Sequence, residues 1–102
     1  MSGSVPVARA AEVPPGTGKT VMVGERAVAL FNVGGQFHAL DGVCLHRGGP
    51  VGDGDVEDGV VTCPWHGWQY EVSTGRNVLD PSIGLGRYDA RVEDGMVLVA
   101  LE

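Results

Sequence analysis

Residues 20–41, TVMVGERAVALFNVGGQFHALD, decide the fold class. Just before and overlapping them stands PPGTGKT (residues 14–20), which at a glance is the phosphate-cradling loop of a nucleotide hydrolase. That loop requires G-x-x-x-x-G-K-[ST], a glycine-rich turn that leaves a strand and opens a helix. Counting back from Gly18, Lys19 and Thr20, the first glycine belongs at position 13, where Val13 stands. The continuation is equally wrong for a helix, because TVMVGERAVALFNV alternates and is β-branched, as strands are. PPG therefore reads as a Pro-Gly turn leading into a hairpin.

The chain has 102 residues, enough for one domain with a single modest core and too few for the repeated strand-helix-strand units of a phosphate-loop fold. A hydrophobic content of 43% argues for a folded globule, and 17 glycines with 6 prolines argue for many turns. Strand-like runs fall at roughly 5–10, 19–23, 27–32, 36–40, 59–62, 68–72, 86–92 and 96–101. Between them lie VGER, NVGGQ, EVSTGRN and VEDGM, all rich in turn residues. The expectation is an all-β, antiparallel single domain over residues 1–102, with no internal repeat or linker.

Seven basic residues against 13 acidic ones give a net charge of −6. That balance disfavours nucleic acid and anionic membrane as partners and favours a protein with a basic face. No apolar run reaches the length of a signal peptide or a membrane span, so a cytoplasmic protein is expected. Only two cysteines occur, Cys44 and Cys63, each with a histidine close by, and in a cytosolic chain that arrangement suggests metal before disulfide.

The hairpin pattern breaks twice, at CLHRGGPVGDGDVEDG and at CPWHGWQY. These breaks hold Cys44-Leu45-His46 and, after sixteen intervening residues, Cys63-Pro64-Trp65-His66. Two thiolates and two imidazoles at such spacings make two knuckle-like loops, each offering a sulfur and a nitrogen toward one point. On spacing alone two chemistries fit: a tetrahedral zinc that stabilises a non-redox interaction module, or a two-iron, two-sulfur cluster.

CLH and CPWHGW at this separation resemble the C-x-H and C-x-x-H boxes of the Rieske iron-sulfur family, and the likeness runs from about residue 18 to 100. The resemblance implies an antiparallel β sandwich with a cluster-binding subdomain at about residues 42–82. It implies a [2Fe-2S] cofactor in which Cys44 and Cys63 ligate one iron and His46 and His66 the more exposed one. Glycines 48, 49 and 67 would let backbone N–H groups approach sulfide. Pro81, in LDPSIGLG, would help form a loop covering the cluster. Respiratory members of the family pair an extra cysteine from each loop; here those positions hold Gly49 and Trp65. With no membrane anchor and no catalytic domain after Glu102, the chain resembles a free-standing ferredoxin. Such a protein is not an enzyme but an electron carrier, taking electrons from a flavoprotein reductase and passing them to a terminal oxygenase. The alternative of that lineage is the small subunit of an assimilatory nitrite reductase. A monomer is expected.

High-potential members carry a serine and a tyrosine two and four residues after the second histidine, whose hydroxyls donate to cluster sulfurs. Trp68 and Tyr70 occupy these positions, which implies the lower half of the family range of about −150 to +300 mV. His38 reads as an ordinary strand residue before a fifth ligand or proton relay, and Trp65 and Trp68 as cluster shields or partner contacts, or equally as packing. The acidic run Asp53, Asp55, Glu57 and Asp58 reads as a solvated loop or as a docking element for a basic partner.

Overall fold

A computed structural model describes residues 4–43, 49–65 and 67–100 of the chain. Among these residues nine strands follow one another: β1 (Ser4–Arg9), β2 (Thr17–Val23), β3 (Arg26–Val33), β4 (Gln36–Asp41), β5 (Asp55–Glu57), β6 (Val60–Thr62), β7 (Gln69–Glu71), β8 (Arg87–Glu93) and β9 (Met96–Ala100). Single 3₁₀ turns occupy Ala10–Glu12 and Val51–Asp53. A six-stranded antiparallel sheet has the order β1-β9-β8-β4-β3-β2, and its two ends, β1 and β2, curl toward each other. A second sheet has the order β5-β6-β7. The expected all-β antiparallel class is what the chain adopts.

Residues 14–20 are no phosphate loop: Gly16 turns with φ +85°, and Gly18, Lys19 and Thr20 lie within β2. Gly18 pairs with Phe31 across the sheet, and a Cβ there would stand 2.6 Å from the Phe31 ring. The second glycine of the false motif makes room for a core aromatic.

β3 departs from the half-buried strand that its alternation suggests. Val28, Ala29, Leu30, Phe31 and Asn32 are all buried, because both faces of β3 are covered. Val28 and Leu30 point into a core with Ala8, Val21, Ala39, Val97 and Val99, inside the curl of the larger sheet. Ala29 and Phe31 point the other way, into a core with Leu40, Val51, Val61, Cys63, Tyr70, Val72 and Leu85. This second core joins the two sheets, and it contains the only cysteine among the described residues.

One strand was not anticipated. β5 lies in the acidic run, where Val56 packs against the second core while Asp55 and Glu57 face solvent. Period-two alternation over three residues is too short to stand out among charges.

The larger sheet is clasped where β4 ends and β8 begins. Tyr88 Oη donates to Asp41 Oδ1, and the Gly86 N–H donates to Asp41 Oδ2 at 3.0 Å. Arg26 Nη1 donates to Tyr88 Oη at 3.3 Å, and its guanidinium carbon lies 5.8 Å from the ring centroid. The bond to Asp41, then burial, then the Asp41 charge, hold the Tyr88 phenol above its usual pKa, against the opposing pull of Arg26. A raised phenol pKa in the folded state means stabilisation that is fully present below about pH 10 and lost as pH rises through the native value. Tyr88→Phe is therefore expected to lower the melting temperature by a few degrees at neutral pH, with the gap from wild type narrowing at strongly alkaline pH. Thermal denaturation across that range checks this; a gap independent of pH would assign the loss to packing alone.

Candidate metal centre

Of the four candidate ligands, Cys63 is described, whereas Cys44, His46 and His66 lie outside the described residues, as does Gly48. Among the described residues no three His, Cys, Asp or Glu side chains come together as a metal site. The segments flanking both boxes are described, and they converge. Val43 and Pro50 form an antiparallel bridge on either side of the first box, with the Val51 N–H donating to the Gly42 carbonyl at 3.3 Å. Gly42 is in turn tied to β3, its N–H donating to Ala27 O at 2.9 Å.

The second box sits in a turn between β6 and β7. The Cys63 N–H donates to the Trp68 carbonyl at 2.7 Å, and the Gly67 N–H donates to the Cys63 carbonyl at 3.2 Å. Gly67 is required here by its φ of +78°. Cys63 is 1% exposed, walled by the core that joins the sheets.

The two boxes meet at Gly49. A Cβ on Gly49 would stand 2.8 Å from Cys63 Sγ and 2.9 Å from both Cβ and Cγ of Trp65. Only a residue without a side chain lets the first loop's backbone approach the sulfur this closely. The donor chemistry fits a sulfur-ligated metal: a buried thiol is one of two converging loops' donors, backed by apolar walls that limit water.

Around this point the two tryptophans divide. Trp68 is half-buried against the second core, whereas Trp65 is 49% exposed. Tyr70, on β7, is completely buried in the same core as Cys63. Pro81 belongs to a loop of residues 77–85 lying against the second box. Val78 N–H donates to Gln69 O at 3.0 Å, and Tyr70 and Asn77 form a bridge. Asn77 went unnoticed in the sequence; it is 6% exposed, and its Oδ1 accepts the N–H groups of Leu79 and Asp80 at 2.9 and 3.0 Å. Asp80 repeats the device, its Oδ1 accepting the Ser82 N–H at 3.1 Å and the Ser82 hydroxyl. The bonds from the Ser82 side chain, then its backbone, hold the Asp80 carboxyl below its usual pKa despite burial acting the other way. Asn-x-x-Asp-x-Ser at 77–82 is the turn signal that would have revealed it.

His38 belongs elsewhere. It pairs with Phe31 across β3–β4 and lines a groove with Arg87 and Arg91, its pKa held down first by burial and then by the Arg87 charge. The acidic residues Asp53, Asp55, Glu57 and Asp58 are exposed on the 3₁₀ turn and the β5–β6 hairpin, with Thr20 Oγ1 donating to Asp53 Oδ1 at 3.4 Å.

Comparison with known proteins agrees with this geometry. The model of the Rieske [2Fe-2S] domain matches residues 3–89. Ferredoxin CarAc of Metapseudomonas resinovorans is 35% identical over 98 residues, covering 94% of this chain and 92% of the relative. The ferredoxin component of the alkene monooxygenase system of Xanthobacter autotrophicus is 38% identical over 81 residues. That match covers 78% of this chain and 66% of the relative, just under two thirds of its length. Among solved structures, a chain from the complex of reduced oxygenase and oxidized ferredoxin in carbazole 1,9a-dioxygenase superposes with a TM-score of 0.86 at 33% identity, covering 100% of this chain and 96% of that one.

Replacing Gly49 with Ala should force Trp65 or the Cys63 sulfur aside. The expected outcome is a lower iron content on purification and faster bleaching of visible absorption by a chelator, measured against wild type. Equal content and equal bleaching would mean that the loops yield without cost.

Proposed function

Because the chain belongs to the Rieske [2Fe-2S] domain family, we infer that it is a one-electron carrier that takes electrons from a flavoprotein reductase and delivers them to a terminal oxygenase. The observation supporting this reading is the approach of Gly49, which follows the first box, to Cys63 Sγ in the second. On spacing alone zinc fits those donors as well as iron does; family membership selects the cluster. Cys44 and Cys63 would hold one iron, and His46 and His66 the other. Bound there, a [2Fe-2S] cluster supplies a one-electron couple, and its two neutral imidazoles set it higher than an all-thiolate ligand set would.

The protein's own residues do the rest. Cys63, buried between the sheets, keeps water from one side of the centre, and Gly49 admits the backbone where a side chain would block it. Trp68 fills the space where a smaller residue would admit solvent. Residues of about 42 to 82 act as the cluster-binding unit of a single domain that spans 1–102. An acidic carrier with both cysteines committed as ligands suits a cytoplasmic pathway and partners with basic faces. No helix of the described residues is long and apolar enough to cross a membrane.

Single replacements Cys44→Ser, Cys63→Ser, His46→Ala and His66→Ala are each expected to abolish the native cluster. Iron and sulfide analysis with visible spectra checks this, and full iron with an unchanged spectrum in all four would defeat the ligand assignment.

Tyr70, buried in the same core as Cys63, would tune the couple through a hydrogen bond from its phenol to a cluster sulfur. A phenol O–H donated to sulfur favours the more negative, reduced state and raises the potential. Tyr70→Phe should lower the potential by tens of millivolts, since about 60 mV corresponds to roughly 1.4 kcal/mol for one electron, the scale of one hydrogen bond. Protein-film voltammetry reads the shift; identical potentials would leave Tyr70 a packing residue only.

A further inference from the structure

Leu79 is 93% exposed, the most exposed large apolar side chain among the described residues. It is held out in water by a loop with little freedom to withdraw it. Besides the bonds accepted by Asn77 and Asp80 already described, Arg76 Nη1 donates to Pro81 O at 2.8 Å. The Ile83 N–H donates to Asp80 O at 3.1 Å, and the Asn77 N–H to Ile83 O at 3.0 Å. Pro81 adds a fixed φ to the same loop. An apolar side chain gains by leaving water, so a loop bonded this thoroughly around an exposed leucine is built for contact with something else.

The surroundings extend the patch. Val78 is 41% and Ile83 37% exposed, and Leu79 and Ile83 border a groove of about 410 Å³ with Gly67 and Trp68. One main-chain bond, Val78 to Gln69, joins this loop to the start of β7, immediately after the second box. The patch thus lies beside the second box.

We propose that Leu79 is a preorganised anchor that enters an apolar pocket on the terminal oxygenase and so fixes the carrier for electron delivery. This rests on the carrier function inferred above, and a ferredoxin–oxygenase complex is the assembly from which the superposed structural relative comes. The ordering cost of such a contact is met before binding, which is what distinguishes an energetic anchor from a passive contact. Asp80, exposed beside Leu79, calls for a basic or N–H-donating rim on that pocket. The acidic hairpin of Asp55, Glu57 and Asp58 then provides long-range, salt-screened attraction, and Leu79 the short-range hold.

The test uses the cluster-loaded protein and a terminal oxygenase of the source organism that the wild type reduces. Rapid-mixing kinetics follow reoxidation of the reduced carrier by that oxygenase, and separately its reduction by the organism's flavoprotein reductase. Leu79→Ser should slow delivery to the oxygenase about tenfold at limiting concentration. The loss should be the same at low and high salt, Leu79→Met should restore the rate, and both the potential and reduction by the reductase should stay at wild-type values. An undiminished rate with Leu79→Ser, or an equal loss with the reductase, would overturn the assignment. If no oxygenase of the organism accepts electrons from the wild type, the carrier function itself falls, and the anchor with it.

Discussion

The structure depends on one close approach: the backbone of Gly49 against the sulfur of Cys63, where a single added carbon would stand 2.8 Å from Sγ. The two boxes, nineteen residues apart by their cysteines, would have to offer donors to one small centre. Each is closed at its root by main-chain pairing, Val43 with Pro50 for the first and Cys63 with Trp68 for the second. The absent side chain at Gly49 lets these two closed loops touch. Trp65 lies over the same point, its Cβ and Cγ each 2.9 Å from where a Gly49 side chain would begin.

That contact is positioned by a scaffold with two cores and one shared strand. β3 is buried on both sides: its Val28 and Leu30 hold the curled sheet together, and its Ala29 and Phe31 hold the smaller sheet to it. Since Cys63 belongs to the second core, the packing that joins the sheets also buries this candidate ligand. Gly18 supports the arrangement from β2 by clearing space for Phe31. A buried, hydrogen-bonded setting of this kind needs little rearrangement when one electron is added, and that suits a carrier.

Much of this was legible in the chain. Alternation and turn residues led to the all-β class and to eight of the nine strands among the described residues, whereas of the donor set proposed from spacing, Cys44, His46, Cys63 and His66, only Cys63 is described. The miss is instructive, because VEDG occurs twice. At 92–95 it reads plainly as a hairpin turn, while at 56–59 the surrounding acids and glycines made it look like loop. Both copies turn alike, Asp58 and Asp94 at φ 54° and 52°, followed by Gly59 and Gly95 at 78° and 79°. Local turn chemistry was the better guide there than hydrophobic contrast. Burial of β3 on both faces was hidden for a different reason: which faces of a strand are covered depends on residues far away in sequence. The bonded loop around Asn77 was hidden because its order comes from side-chain-to-backbone bonds, which leave no periodicity.

The central claim is that two cysteines and two histidines hold one redox centre, and pulsed electron-spin resonance of the dithionite-reduced protein tests it most directly. The account predicts a single unpaired-electron signal that appears on reduction, with nitrogen couplings from two imidazoles. A colourless protein with no signal, or a reduced signal without nitrogen coupling, would contradict it.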